Sequence, residues 1–265
     1  MAAARARESE REDRLFHDPL AAALAGSAGF EWLDRLEPVP WPGGPGSYSV
    51  IRTRFFDDFL LGTCQRPEVR QVVLLAAGMD TRALRLDWPT GTRLYELDLP
   101  EVLRSKAAIM EERGAKPLCE RVAVEVDLES DDWPRTLLAA GYEPSRPTVW
   151  MIEGLLFYLI QETVHRLLRH VSDLSTTGGK LGLDLMNRDL FLSPTAWPLL
   201  GVLARNRTPG LFGTNDPEGL LQRHGWRATV TQPGEEGANF GRHPPPMARW
   251  MPGIPRSFLV RASRT

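Results

Sequence analysis

Residues 71–100 read QVVLLAAGMDTRALRLDWPTGTRLYELDLP, and their pattern decides the fold. The apolar run Val72-Val73-Leu74-Leu75-Ala76-Ala77 is too short for a helix and is bounded by polar residues, which predicts a central parallel strand. Gly78 follows at its carboxyl end, where open α/β sheets place ligands and where a missing Cβ lets a ligand approach the backbone. Leu94-Tyr95-Glu96-Leu97-Asp98 then alternates into a second strand whose terminal carboxylate lies twenty residues past Gly78. A carboxylate at that spacing suits the two hydroxyls of a ribose. The turn is not GxGxxG: Asp80 and Thr81 stand where a diphosphate needs glycines and bare amides. This argues against NAD and for a nucleoside without phosphates, such as S-adenosyl-L-methionine.

Outward from this unit, strands and helices alternate. A helix after Pro100 carries Val102, Leu103, Ala107 and Met110 and ends near Gly114. Strands are expected at 119–126, 148–152 and 180–185, with helices over 132–140 and 161–174 between them, so the sheet is parallel and doubly wound. Two closing strands, 226–231 and 257–262, follow a short helix at 217–224 and lack a crossover helix, which predicts an antiparallel edge hairpin. Toward the N-terminus, residues 2–14 read as helix, and Asp18-Pro19 opens a second helix through Leu20–Leu24. The segment 37–46, with four prolines and three glycines, reads as loop. Residues 50–62 carry a helical apolar stripe. The expected organisation is one domain over 1–265, with a cap formed by about 1–65 and 187–215.

Bulk properties exclude several classes. A 265-residue chain with 42% hydrophobic and 25% charged residues is that of a globular domain with a sizeable core. A net charge of −2 offers no basic footprint for nucleic acid. No stretch approaches the ~20 apolar residues of a membrane span, and the charged N-terminus does not read as a signal peptide, so a cytoplasmic protein is expected. Cys64 and Cys119 read as free thiols. The five histidines show no metal-ligand clustering, and no metal is expected.

Further along, several runs resemble the leucine carboxyl methyltransferase-like family, in particular its bacterial polyketide O-methyltransferase branch. They are Arg-Leu-Phe-His-Asp-Pro-Leu-Ala at 14–21, Arg-Thr-Arg-Phe-Phe-Asp-Asp at 52–58, Leu-Ala-Ala-Gly-Met-Asp-Thr-Arg-Ala-Leu-Arg-Leu at 75–86, Tyr-Glu-Leu-Asp-Leu-Pro at 95–100, Asp-Leu at 127–128 and Trp-Met-Ile-Glu-Gly-Leu-Leu-Phe-Tyr-Leu at 150–159. They stand in family order from about residue 7 to residue 262. The resemblance implies a class I methyltransferase (Rossmann-like) fold with a mostly parallel sheet, S-adenosyl-L-methionine as cofactor, and methyl transfer to an oxygen, often of a carboxylate. The chain departs from the family in carrying Ala76-Ala77-Gly78 for the commoner Gly-Ala-Gly. It is also short for the family, and the resulting compact cap disfavours a protein C-terminus as acceptor and favours a small natural-product acid.

Candidate site residues follow. Asp98 reads as the ribose ligand, or as an acidic cap for the helix near Pro100. Gly78 reads as the binding-loop glycine, with Glu96 turned to the opposite face. Asp127 and Leu128 would meet the adenine, the aspartate accepting from its exocyclic amine and a neighbouring amide donating to a ring nitrogen; the alternative is an N-cap before the following helix. Glu153 ends the fourth strand and would meet the methionine ammonium. For the methionine carboxylate the resemblance points to Arg52, with Arg54 second, since a guanidinium matches a carboxylate bidentately. Relatives also use a lysine eleven residues before the Asp-Pro pair; Arg7 occupies that position here, as a substitute or as a surface arginine. Asp80 and Arg82 read as an ion pair buttressing loops. Tyr158 either faces the acceptor side of the methyl group or packs as core. Trp32, Trp41, Phe191, Trp197 and Phe212 are candidates for lining an acceptor pocket. The partner expected is a small-molecule acceptor, with neither nucleic acid nor membrane. Two rival functions are a non-catalytic S-adenosyl-L-methionine-binding or scaffolding protein and, more remotely, a nicotinamide-dependent oxidoreductase.

Overall fold

Seven strands form one sheet in the computed structural model, which describes residues 1–37, 44–194, 197, 201 and 211–265. They are β1 (Gln71–Leu75), β2 (Arg93–Asp98), β3 (Glu120–Glu125), β4 (Thr148–Ile152), β5 (Lys180–Met186), β6 (Trp226–Thr231) and β7 (Ser257–Arg264). Their order is β3-β2-β1-β4-β5-β7-β6. Strands β1 to β5 pair in parallel, and β7 runs antiparallel to both β5 and β6. The doubly wound sheet and the antiparallel edge hairpin are therefore as expected. The chain winds one way from β1 to β2 and β3, then returns to β4 on the other side of β1. That reversal opens a crevice at the carboxyl ends of β1 and β4.

Both faces of the central strands are covered. Every residue of β1 and β4 is buried, and alternate side chains feed two cores. Val73, Leu75, Tyr95, Leu97, Trp150 and Ile152 belong to one; Val72, Leu74, Leu94, Val149 and Met151 belong to the other. The first core is closed by α6 (Trp133–Ala139) and α7 (Gln161–Asp173), whose Val164, Leu167, Leu168 and Val171 recur at helical spacing. The short α9 (Pro217–Gln222) adds Leu220 and Leu221. The second core is closed by α3 (Gly44–Cys64) through Ile51, Phe55, Phe56 and Leu60. Among the described residues the further helices are α1 (Ala2–Ser9), α2 (Ala21–Leu36), α4 (Arg82–Arg85), α5 (Pro100–Glu112) and α8 (Arg188–Leu192), with a 3₁₀ turn at Leu156–Tyr158.

Three helix boundaries differ from the sequence expectation. Helix α1 stops at Ser9 instead of 14, because residues 9–14 carry no apolar side chain to bury while Ala2, Ala3, Ala4 and Ala6 do. Helix α2 continues to Leu36, kinked at Gly26, whose φ of +54° suits glycine. Helix α3 starts at Gly44, inside the segment read as loop, where burial of Tyr48, Val50 and Ile51 overrides the weak propensity of its glycines. The rest of that loop, 38–43 with Trp41, and most of 195–210 lie outside the described residues. Among the described residues no helix is long and apolar enough to cross a membrane.

Candidate cofactor site

A cleft opens at the carboxyl ends of β1 and β4, floored by Leu74–Asp80 and walled by Arg5, Arg52, Arg82, Met151, Glu153 and Gly154. Its geometry begins with the turn after β1. Ala76 and Gly78 both adopt positive φ, +53° and +49°, so the chain coils tightly and presents backbone to the cleft. The Gly78 amide donates to Asp98 Oδ2 at 2.6 Å, and the Leu99 amide donates to Asp98 Oδ1 at 2.7 Å. The glycine and the acid twenty residues on are thus in direct contact. Asp98 is both a partner of the turn and an anchor for the start of α5. Each oxygen accepts one backbone donor and keeps lone-pair capacity for a further one. Burial raises the Asp98 carboxyl above the usual range, against the two amides. Glu96, two residues before Asp98, shares its face of β2 and does not take the opposite one expected; it is held instead by Lys106 at 2.8 Å and Arg121 at 2.7 Å.

Across the cleft, Glu153 follows β4 and Arg52 projects from α3. Arg52 Nε donates to Glu153 Oε1 at 2.8 Å. Glu153 Oε2 lies 2.8 Å from Arg82 Nη1 but without hydrogen-bond alignment, so this buried oxygen has no hydrogen-bonded donor. Burial alone would raise the Glu153 carboxyl; the guanidiniums of Arg82 and Arg52 outweigh it and hold it below the usual range. Arg52 is correspondingly locked in its charged form, burial being overcome by Asp184 and Glu153. Arg82 also pairs with Asp80 at 2.5 Å and Asp57 at 2.7 Å, so the Asp80–Arg82 pair buttresses the turn.

Other expected residues fall elsewhere. Arg7 points away from the cleft, paired with Asp34 and Glu37 on α2 and its C-terminal residue. The arginine of α1 that lines the cleft is Arg5, held by Asp18 at 2.7 Å and donating to the Met79 carbonyl at 2.5 Å. Two residues on a helix are about 200° apart, so the faces are opposite. Arg54 pairs with Asp58 outside the cleft. Asp127 is exposed and its Oδ1 accepts the Glu129 amide at 2.9 Å, closing a turn beyond the end of β3 instead of capping α6. Leu128 packs against the first core. Tyr158 packs against the second core, its ring 4.4 Å from Phe157, and burial raises its phenol pKa. Of the aromatics, Phe212 is buried in the first core and Phe191, on α8, is half-buried against the second. Trp32 is half-buried on α2, and Trp197 is 65% exposed.

Asp184 escaped the sequence reading. It is fully buried on β5 and takes hydrogen bonds from Tyr48, Arg52 and the Gly154 amide. An acid inside the apolar run Leu181-Gly182-Leu183-Asp184-Leu185 is itself a signal, since such a group needs buried donors. Arg5 and Asp18 left no comparable trace.

A family model described as leucine carboxyl methyltransferase matches residues 1–172, which contain β1 to β4 and every residue lining the cleft. The chain belongs to the leucine carboxyl methyltransferase family. A candidate S-adenosyl-L-methionine-dependent methyltransferase of Streptomyces avermitilis is 40% identical over 280 residues, covering 96% of this chain and 90% of the relative. Among solved structures, a DUF574 family protein from the same species has a TM-score of 0.63 at 13% identity, covering 100% of this chain and 97% of that one. A candidate methyltransferase from Thermobifida fusca has a TM-score of 0.60 at 16% identity, covering 99% and 94%. The two structures share the fold with this family member.

Proposed function

We propose that the protein is an S-adenosyl-L-methionine-dependent O-methyltransferase acting on a carboxylate, or an acidic phenol, of a small natural product such as a polyketide. The observation that carries this reading is the pairing of opposite charges at the head of the cleft with a nucleoside-type acid at its side. Glu153 Oε2 is a buried acceptor that faces Arg82 at 2.8 Å without hydrogen-bond alignment and keeps lone-pair capacity for an ammonium. Arg52 and Arg5 supply guanidiniums for a carboxylate. Asp98 stands on the bare turn at Gly78 with lone pairs free for ribose hydroxyls. This donor and acceptor set fits an amino acid joined to a nucleoside and offers no diphosphate cradle. Asp127 and Leu128, beyond the end of β3, are the adenine-side candidates.

Bound there, the cofactor supplies an activated methyl group on a sulfonium. The protein's own tasks are to hold the amino-acid end at Arg52 and Glu153, hold the ribose at Asp98, and align the acceptor oxygen while excluding water. A phenol or alcohol acceptor would need a base near the methyl group. Tyr158, kept protonated by burial, is a poor one, so it is assigned to the wall and not to proton transfer. A carboxylate is ionised at neutral pH and needs no base, which is why it is preferred. Helices α1 to α3, together with α8, would form the cap over the acceptor.

Calorimetric titration with S-adenosyl-L-methionine and with NADH tests the reading. Micromolar binding of the first alone is expected, lost in Asp98→Ala with the fold retained. Methyl transfer to carboxylic acids in preference to neutral phenols should follow. Binding without turnover on any acid or phenol would move the protein to the scaffolding class, and NADH binding would overturn the cofactor assignment.

A further inference from the structure

We propose that Asp184 is a positioning residue for the amino-acid end of the cofactor, one that sets Arg52 and the Glu153–Gly154 corner in register and keeps one edge of Arg52 open to a ligand. The inference rests on the cofactor site proposed above, but Asp184 lies beyond the residues matched by the family model and does not line the cleft.

Three donors from two separate elements converge on this carboxylate. Oδ2 accepts the Tyr48 hydroxyl at 2.8 Å and Arg52 Nη1 at 2.6 Å, and Oδ1 accepts the Gly154 amide at 2.6 Å. Tyr48 and Arg52 are four residues apart on α3 and therefore on one face of it. Gly154 directly follows Glu153. A single buried oxygen pair thus ties the helix that carries the cleft's cation to the corner that carries its anion. Gly154 takes a φ of +71°, a conformation that suits glycine, and a Cβ there would stand at contact distance, 3.4 Å, from both Nη1 and Nη2 of Arg52.

The division of Arg52's donors gives the carboxylate its role. Nε serves Glu153, Nη1 serves Asp184, and Nη2 makes no hydrogen bond among the described residues. Nε and Nη2 form one two-donor edge, yet Glu153 takes Nε alone; the pull of Asp184 on Nη1 holds the guanidinium in that one-donor arrangement. Were Asp184 neutral, a bidentate Arg52–Glu153 pair would be the favoured arrangement. It would consume the donor needed by a ligand carboxylate and the acceptor needed by its ammonium. A buried ion pair by itself is a weak source of stability; its geometric effect on Arg52 is the part that a ligand would feel.

The test compares two ligands that share a nucleoside but differ at the other end. S-adenosylhomocysteine has the amino-acid group, and 5′-methylthioadenosine does not. Asp184→Asn should weaken the first by about tenfold or more, the scale of one charge-assisted hydrogen bond, and leave the second unchanged. Equal weakening of both, or of neither, would overturn the proposal, because loss of structure alone does not distinguish the two ligands. If Asp184→Asn fails to fold, Tyr48→Phe carries the same test with a smaller selective loss, and the same two outcomes count against it. Arg52→Gln is run in parallel. A selective loss there without one in Asp184→Asn refutes only the positioning role; no selective loss in Arg52→Gln refutes the cofactor site itself.

Discussion

Ala76 adopts a φ of +53° at the point where the family more often has glycine. A left-handed conformation costs a non-glycine residue about 1–2 kcal/mol, partly offset by the roughly 0.5–1 kcal/mol of chain entropy that glycine would lose on folding. Ala76→Gly should therefore stabilise the protein by about 0.5–1 kcal/mol, raising the unfolding temperature by roughly 1–2 °C. An unchanged or lower midpoint would mean the turn relaxes around the methyl group. In the sequence Ala76 stands out only through the resemblance, as an alanine where glycine is commoner; the apolar run assigns it to the strand, which ends at Leu75. Asp98 was legible because strand alternation and the glycine turn together place it beside Gly78. Which arginine of α1 enters the cleft was not legible. Arg5 and Arg7 are equivalent in type, and only the docking of the alanine face against α2 selects between them.

The element that matters most for the site is α3, which delivers Arg52 and Tyr48 and packs across β4 and β5. Its seating depends on a close approach at Gly182 of β5. A Cβ there would lie 2.9 Å from Phe59 and 3.0 Å from the Met151 sulfur. Gly182→Ala should overpack this contact and cost about 1–3 kcal/mol. Because the displaced body is the helix bearing Arg52, affinity for S-adenosyl-L-methionine should fall as well, while a cavity-neutral change on the outer edge strand should leave it intact. Thermal unfolding and calorimetry on the same preparation check both parts; loss of stability with full affinity would uncouple α3 from the site. The glycine itself reads as a weak point in a strand, but its reason is tertiary: an aromatic ring from a helix more than a hundred residues earlier.

Across the whole molecule the cleft is backed by a connected set of buried ion pairs. Asp184 pairs with Arg52, Arg52 with Glu153, Glu153 with Arg82, Arg82 with Asp80 and Asp57, and Asp57 with Arg85. Burial alone would raise the Asp80 carboxyl, but Arg82, then Lys106 and Arg5, hold it down to about 2, and Glu153 is also held below its ordinary value. A folded-state pKa below the unfolded one contributes stability that is complete above the unfolded value, near 4, and is lost as pH falls through the folded value. The protein should therefore lose stability progressively from about pH 4 toward pH 2. Asp80→Asn should unfold at a lower temperature than the parent at neutral pH, and the gap should close toward pH 2. A gap that stayed constant across that range would show that Asp80 is held by hydrogen bonding alone and not by its charge. Added salt should protect little, since the pairs are shielded from solvent.

Periodicity, turn chemistry and the placement of acids at strand ends were enough to determine the doubly wound sheet, its edge hairpin, and the expectation that Gly78, Asp98 and Glu153 share one end of it. These are properties of local sequence, because a strand's alternation and a parallel sheet's direction together dictate which residues reach its carboxyl edge. The tertiary structure alone decided that Arg5 and not Arg7 enters the cleft, that Asp127 closes an exposed turn, that Tyr158 packs against the core, and that Asp184 joins Arg52 to Gly154. Each of these depends on how two elements distant in sequence are seated against one another. Side-chain packing sets that seating, and no spacing within one segment encodes it.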